Sequence, residues 1–214
     1  MEKDLAILMA DLTGYTAMTD VHGGASAAKI VNKYMQLVEQ SLFGGTQVVQ
    51  RIGDQVVMIS DVPIDLVTTA QKLITIAHEH HFLSIHMGIH YGSILIDNGN
   101  LFGSPINVAS RIMNIANRGQ ILCSSTYVNE LPTGTSFKFV STGKHKLKNV
   151  LGPLEVFELS TTQSNPFYID PVCHMLVDPT KGDHIVTYQN ETFHFCSSHC
   201  MTLFTAYPES FLLP

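Results

Sequence analysis

Apolar positions along the chain follow two different periods. Residues 5–10 form a continuous apolar run closed by Asp11, which reads as a buried strand. Over residues 25–42, Ile30, Tyr34, Leu37, Val38 and Leu42 recur at three-to-four spacing, which predicts an amphipathic helix ended by Gly44-Gly45. Short strands over 46–50 and 55–60 follow, joined by a tight turn at Ile52-Gly53-Asp54. A second helix is predicted over 64–80, then strands over 83–90 and 93–96 separated at Gly92. A third helix over 105–117 has proline in its first turn and is closed by Arg118-Gly119. This succession indicates an α/β or α+β sandwich of about 160 residues. Residues 161–167 are polar or apolar-poor and read as a linker to a tail, 168–214, that is too short for a large core of its own.

Charge narrows the possible partners. Among 214 residues, 12 lysines and arginines face 18 acids, for a formal charge of −6. Nucleic acids and anionic membranes both need a basic footprint, so neither is an expected partner. No apolar run approaches the length of a membrane span, and residues 1–4 lack the basic and apolar regions of a secretory signal. The expectation is a soluble cytoplasmic protein. Cys123 follows an apolar run over 120–122 and reads as a packed core thiol, whereas Cys173, Cys196 and Cys200 cluster near the end. His78, His80, His81, His86 and His90 read as a polar helix end followed by strand histidines rather than as a ligand cluster.

Asp11 at a strand end and Asp54 in a tight turn are carboxylates presented from sheet edges. Such a pair can hold hard divalent cations against a polyphosphate, although each aspartate alone also suits a turn. Thr13-Gly14-Tyr15 follows Asp11 as a small-residue turn whose backbone amides could cradle phosphates. Asn107 and Arg111 are four apart on the third helix and share a face. An amide beside a guanidinium suits an anionic transition state, and a solvated polar face is the alternative.

Ala10-Asp11-Leu-Thr-Gly-Tyr-Thr16, Ile52-Gly53-Asp54, Gly88-Ile-His-Tyr-Gly92 and Phe102-Gly-Ser-Pro-Ile-Asn-Val-Ala-Ser-Arg111 stand in the order of the class III adenylyl/guanylyl cyclase catalytic domain. The chain resembles that family over about residues 4–159. The resemblance implies a ferredoxin-like α/β sandwich of class α+β, with Asp11 and Asp54 holding two Mg²⁺ or Mn²⁺ ions. It implies that Asn107 orients the ribose, that Arg111 neutralises charge at the α-phosphate, and that Lys148, with Lys146 nearby, meets the triphosphate. It further implies a homodimer, with the aspartates of one chain facing Asn107 and Arg111 of the other. Base selection maps to Gln50 and Asn100. Both are amides that can present a donor or an acceptor, so ATP and GTP both remain open.

In the tail, Asp170-Pro-Val-Cys173-His-Met175 precedes Phe195-Cys196-Ser-Ser-His-Cys200. Three thiolates supply most of a tetrahedral soft-metal site, with His174, His194 and His199 as candidate fourth ligands; buried free thiols are the alternative. This segment resembles the YHS domain, related to TRASH-type modules, over about residues 168–213. That resemblance implies a cysteine-containing hairpin and helix binding zinc, copper or iron. The combined expectation is a nucleotide cyclase with a metal-binding tail that regulates it. The alternative is a catalytically weak or inactive cyclase-like scaffold serving as a metal-sensing or nucleotide-binding regulatory protein.

Overall fold

The computed structural model describes residues 2–97, 100–161, 167–178, 180 and 183–212. Most of the stretch expected to be a linker lies outside them, as does the side chain of Asn100. The first part of the chain runs β1 (Glu2–Leu12), α1 (Tyr15–Ser41), β2 (Gln47–Ile52), β3 (Gln55–Ser60), α2 (Pro63–Glu79), β4 (Ile85–Asp97) and β5 (Asn100–Phe102). It continues with α3 (Ser104–Met113), β6 (Ile121–Ser124), α4 (Ser125–Asn129), β7 (Phe139–His145) and β8 (Leu154–Leu159). These strands form one mixed sheet in the order β2-β3-β1-β4-β6-β8-β7, with β5 paired to the end of β4. Strands β4 and β6 run parallel, and the other pairs are antiparallel.

The uninterrupted apolar run of β1 has a direct cause, because helices cover both faces of the sheet. Ala6, Leu8 and Ala10 point toward Tyr34, Leu37 and Val38 of α1 and Leu66, Ala70 and Leu73 of α2. Leu5, Ile7 and Met9 point the other way, onto Ala109 and Met113 of α3. Helix α3 also packs Val108 and Ile112 against Leu122 and Val156. It lies close to the sheet because β4 has glycine beneath it: a Cβ at Gly88 would sit 2.2 Å from the Met113 amide nitrogen and 2.4 Å from the Ala109 carbonyl oxygen.

Several element boundaries differ from the sequence expectation, among them that of α3, which ends at Met113 and not at 117. Gly92 does not divide β4. It pairs in register with Leu5, and its missing side chain makes room for Pro105, whose Cγ lies 2.8 Å from where a Cβ would stand. Helix α1 begins ten residues earlier than the periodicity predicts, at Tyr15, but Gly23 interrupts it with φ 77° and ψ 169°. Residues 15–22 therefore form a short leading helix ahead of the long amphipathic one.

The tail contains β9 (Tyr168–Ile169) paired with β10 (Leu176–Val177), a hairpin of β11 (Ile185–Tyr188) and β12 (Glu191–His194), and α5 (Ser198–Ala206). Its small core of Val172, Cys173, Phe195, Cys200 and Phe204 also takes in Val21 from α1. Met175 packs against both this core and the larger one.

Candidate functional site

Asp11 is the penultimate residue of β1, opposite His86 of β4, and Asp54 occupies the β2–β3 turn, where Gly53 takes φ 63°. The antiparallel pairing of β1 with β3 brings the two carboxyls into hydrogen-bonding contact with each other, and the Leu12 amide donates to both. Burial, and then the charge of Asp11, push the Asp54 carboxyl up to about 6. Burial also raises Asp11, with the Asp54 hydrogen bond opposing it. Two acids held together in partial burial lack positive charge, which is the condition a divalent cation relieves. The donor set therefore fits hard metal ions.

Sequence reasoning did not place His86 beside this pair, nor Arg118 near His86. His86 Nε2 lies 3.9 Å from Asp11 Oδ2, and its Nδ1 is 3.0 Å from Thr13 Oγ1. Burial holds the imidazole below its ordinary value, aided by the Arg118 charge and opposed by Asp54. The period-two rule, which puts His86 and His90 on one face of β4, was the only available signal. His90, by contrast, is a core residue: it lies 2.8 Å from Ser124 Oγ, and burial drives its pKa down to about 4. Cys123 is fully buried, as expected of a core thiol.

Thr13-Gly14-Tyr15 forms the turn into α1, with Gly14 left-handed at φ 85°. The Thr13 amide is already bonded to the Ser84 carbonyl, which withdraws it from the expected phosphate cradle. The amides of Gly14 and Tyr15 remain at a helix N-terminus, where anions are favoured. The tail covers this turn. His174 Cβ stands 2.4 Å from where a Gly14 Cβ would be, and Arg118 Nη1 donates to the His174 carbonyl at 3.1 Å.

Asn107 is exposed on α3 and Arg111 is half-buried, one turn apart. Among the described residues the ion pairs are Lys3–Asp61 and His86–Asp11, and Arg111 meets no carboxylate there. Lys146 and Lys148 are exposed in the β7–β8 connection, at the opposite edge of the sheet from β2. Gln50 is exposed on the edge strand β2, while Asn100 belongs to β5 beside β4. One chain thus brings the aspartates together but leaves the amide and guanidinium on α3 and the lysines in the β7–β8 connection.

The tail cysteines do converge. Cys173 Sγ is 3.3 Å from Cys196 Sγ, which is 3.6 Å from Cys200 Sγ. Asp170 builds the knuckle. Its Oδ1 accepts from the Val172 amide at 2.8 Å and the Cys173 amide at 3.3 Å, and its Oδ2 accepts from the Cys196 amide at 2.8 Å. Ser197 caps α5 through the Cys200 amide. Hydrogen bonds from Cys173 and Cys196 lower the Cys200 thiol to about 4, while the bond to Cys196 raises Cys173. The cluster therefore favours a thiolate, the form that binds metal. None of the histidines expected to join it does so. His199 is exposed, His194 stacks on Tyr168 at 3.6 Å between ring centroids, and His174 turns onto Gly14. The imidazole at the cluster is that of His22, from α1.

Comparison with known proteins agrees with this architecture. The adenylate and guanylate cyclase catalytic domain matches residues 1–161, and the YHS domain matches residues 168–214. The chain belongs to the adenylate and guanylate cyclase catalytic domain family and carries a C-terminal YHS domain. A pH-sensitive adenylate cyclase of Mycobacterium tuberculosis is 24% identical over 161 residues, covering 73% of this chain and 41% of that protein. The chain spans about two fifths of the length of the first curated relatives it matches. An adenylate/guanylate cyclase/hydrolase from Silicibacter pomeroyi shares the fold, with a TM-score of 0.63 at 24% identity over 76% of this chain and 99% of that one. A copper-transporting P-type ATPase of Rhizobium leguminosarum is 46% identical over 43 residues, 20% of this chain and 5% of that protein. No helix among the described residues is long and apolar enough to cross a membrane.

Proposed function

We propose that the chain is a nucleotide cyclase that closes ATP or GTP into the 3′,5′-cyclic nucleotide and releases pyrophosphate at a homodimer interface. The observation that carries this reading is the division of labour within one chain. Asp11 and Asp54 touch, while Asn107 and Arg111 sit on α3 with no carboxylate partner among the described residues. A second copy is the natural source of the missing half.

In this reading Asp11 and Asp54 hold two Mg²⁺ or Mn²⁺ ions, which supply Lewis-acid stabilisation of the ribose 3′-oxygen and the triphosphate. The Gly14 and Tyr15 amides receive phosphate oxygens at the start of α1. Asn107 of the opposite chain orients the ribose. Arg111 neutralises charge at the α-phosphate as the bond from the 3′-oxygen forms and the bond to pyrophosphate breaks. Lys148 adds charge toward the leaving group, and Gln50 and Asn100 read the base. The tail cysteines hold zinc, copper or iron, a reading favoured by the YHS match and by the 43-residue similarity to a copper transporter, a match of about the tail's length.

Complementation tests the assembly. Asp54→Ala and Arg111→Ala are each expected to abolish cyclic product from both nucleotides with Mn²⁺. Mixed in equal amounts after subunit exchange, they are expected to recover about a quarter of wild-type activity, because half the dimers then carry one intact centre. Wild-type turnover with no recovery on mixing would place the site within one chain. No product from folded wild-type protein would point instead to a regulatory scaffold.

A further inference from the structure

The three tail thiols have a fourth neighbour that the sequence keeps far away. His22 Nε2 lies 3.7 Å from Cys196 Sγ and 3.6 Å from Cys200 Sγ, although 174 residues separate His22 from Cys196. The ligand atoms of His22, Cys173, Cys196 and Cys200 all lie within 4.8 Å of one another. A tetrahedral ion with bonds of about 2.3 Å to sulfur and about 2.05 Å to nitrogen spaces its ligands at about 3.8 Å (sulfur to sulfur) and 3.6 Å (sulfur to nitrogen). Two Sγ–Sγ separations, 3.3 and 3.6 Å, fall somewhat short of the first distance, the two Nε2–Sγ separations of 3.7 and 3.6 Å match the second, and no pair exceeds 4.8 Å, so modest side-chain shifts bring the four atoms to ligating distance.

We propose that His22 is the fourth ligand of a Cys₃His site for a thiophilic transition metal, so that the ion ties the tail to the first helix of the cyclase domain. The inference rests on the reading of the tail as a metal-binding module and adds to it a ligand from outside that module. His22 ends the leading helix, residues 15–22, immediately before the break at Gly23. The other end of that helix is the Gly14-Tyr15 turn assigned to the phosphates. Val21, the neighbour of His22, already packs into the tail core, so the contact exists before any ion enters. Metal occupancy therefore fixes the leading helix at its far end while Gly23 leaves the rest of α1 free to differ. The tail metal acts on the phosphate turn through eight residues of helix.

Cobalt spectroscopy of the full chain tests the ligand directly. Reduced, metal-stripped protein is expected to bind one equivalent of Co²⁺ with the intense ligand-field bands of a four-coordinate sulfur-rich site. His22→Ala is expected to weaken and shift those bands and to lower Co²⁺ and Zn²⁺ affinity by at least about tenfold, since even outer-shell changes cost about 10–100-fold. His22→Cys is expected to restore a four-coordinate spectrum, and His174→Ala and His199→Ala to leave it unchanged. Zn²⁺ should also slow amide exchange over residues 15–22 in the wild type but not in His22→Ala. A His22→Ala protein with wild-type bands and affinity would overturn the role of His22 while leaving the three-cysteine site standing. No stoichiometric binding by the wild type would overturn both readings.

Discussion

Asp54 carries a charge that the metal-free fold disfavours. Its carboxyl titrates at about 6 instead of 3.8, first because of burial and then because of Asp11. A raised acid binds its proton more tightly when folded, so the folded state is favoured below the unfolded value. That advantage is lost as pH rises from about 3.8 through about 6. In chelator at pH 7.5, Asp54→Asn is accordingly expected to raise the melting temperature, by about 2–4 °C for each kcal/mol of repulsion relieved. The same variant should no longer be stabilised by Mn²⁺. In the wild type, stabilisation by Mn²⁺ should fade as pH drops below about 6, where protons compete for the carboxylate. Thermal melts across pH 5–8, with and without Mn²⁺, check all three.

At the level of elements, α3 depends on the absence of a side chain. A Cβ at Gly88 would meet backbone atoms of α3, which cannot swing aside as a flexible side chain can. Gly88→Ala is expected to push α3 off the sheet, cost about 1–3 kcal/mol by overpacking, and displace Asn107 and Arg111. Activity should fall further than stability does, which denaturation and turnover measured on one preparation would show. The buried β1 and the Asn107–Arg111 face were legible in the sequence, because each rests on local periodicity or a short spacing; Asp11 and Asp54 were legible singly as a strand end and a turn, and their meeting follows from the pairing of β1 with β3. The unbroken β4 was not legible, since a glycine that admits a neighbouring proline looks the same in sequence as one that turns the chain. His22 was hidden for a different reason. Its role depends on a contact across almost the whole chain, and nothing near Ser-Ser-His-Cys200 reveals that an exposed His199 yields to a helix in the other domain.

Taken whole, the molecule is a cyclase-family domain with its tail lodged against the turn where phosphates are proposed to bind. The Arg118 hydrogen bond to the His174 carbonyl is one fastening, and the shared apolar contacts of Val21 and Met175 are others. Arg118→Ala removes a charged donor worth about 1.5 kcal/mol. It is expected to speed amide exchange over residues 170–176 roughly tenfold while leaving the β1–β4 pairing protected, a difference hydrogen-exchange mass spectrometry resolves.

Strand β4 gives the assembly one more property. It is continuous over 13 residues, sets His86 beside the carboxylates at one end, and supports α3 through Gly88 two residues later. In the proposed dimer the carboxylates of a protomer serve one reaction centre and its α3 serves the other. A single strand is then a beam common to both centres. If strain at one gripped nucleotide travels along it to the guanidinium attending the second, product formation against substrate concentration is expected to depart from a single hyperbola, and a simple hyperbola would show the two centres working independently.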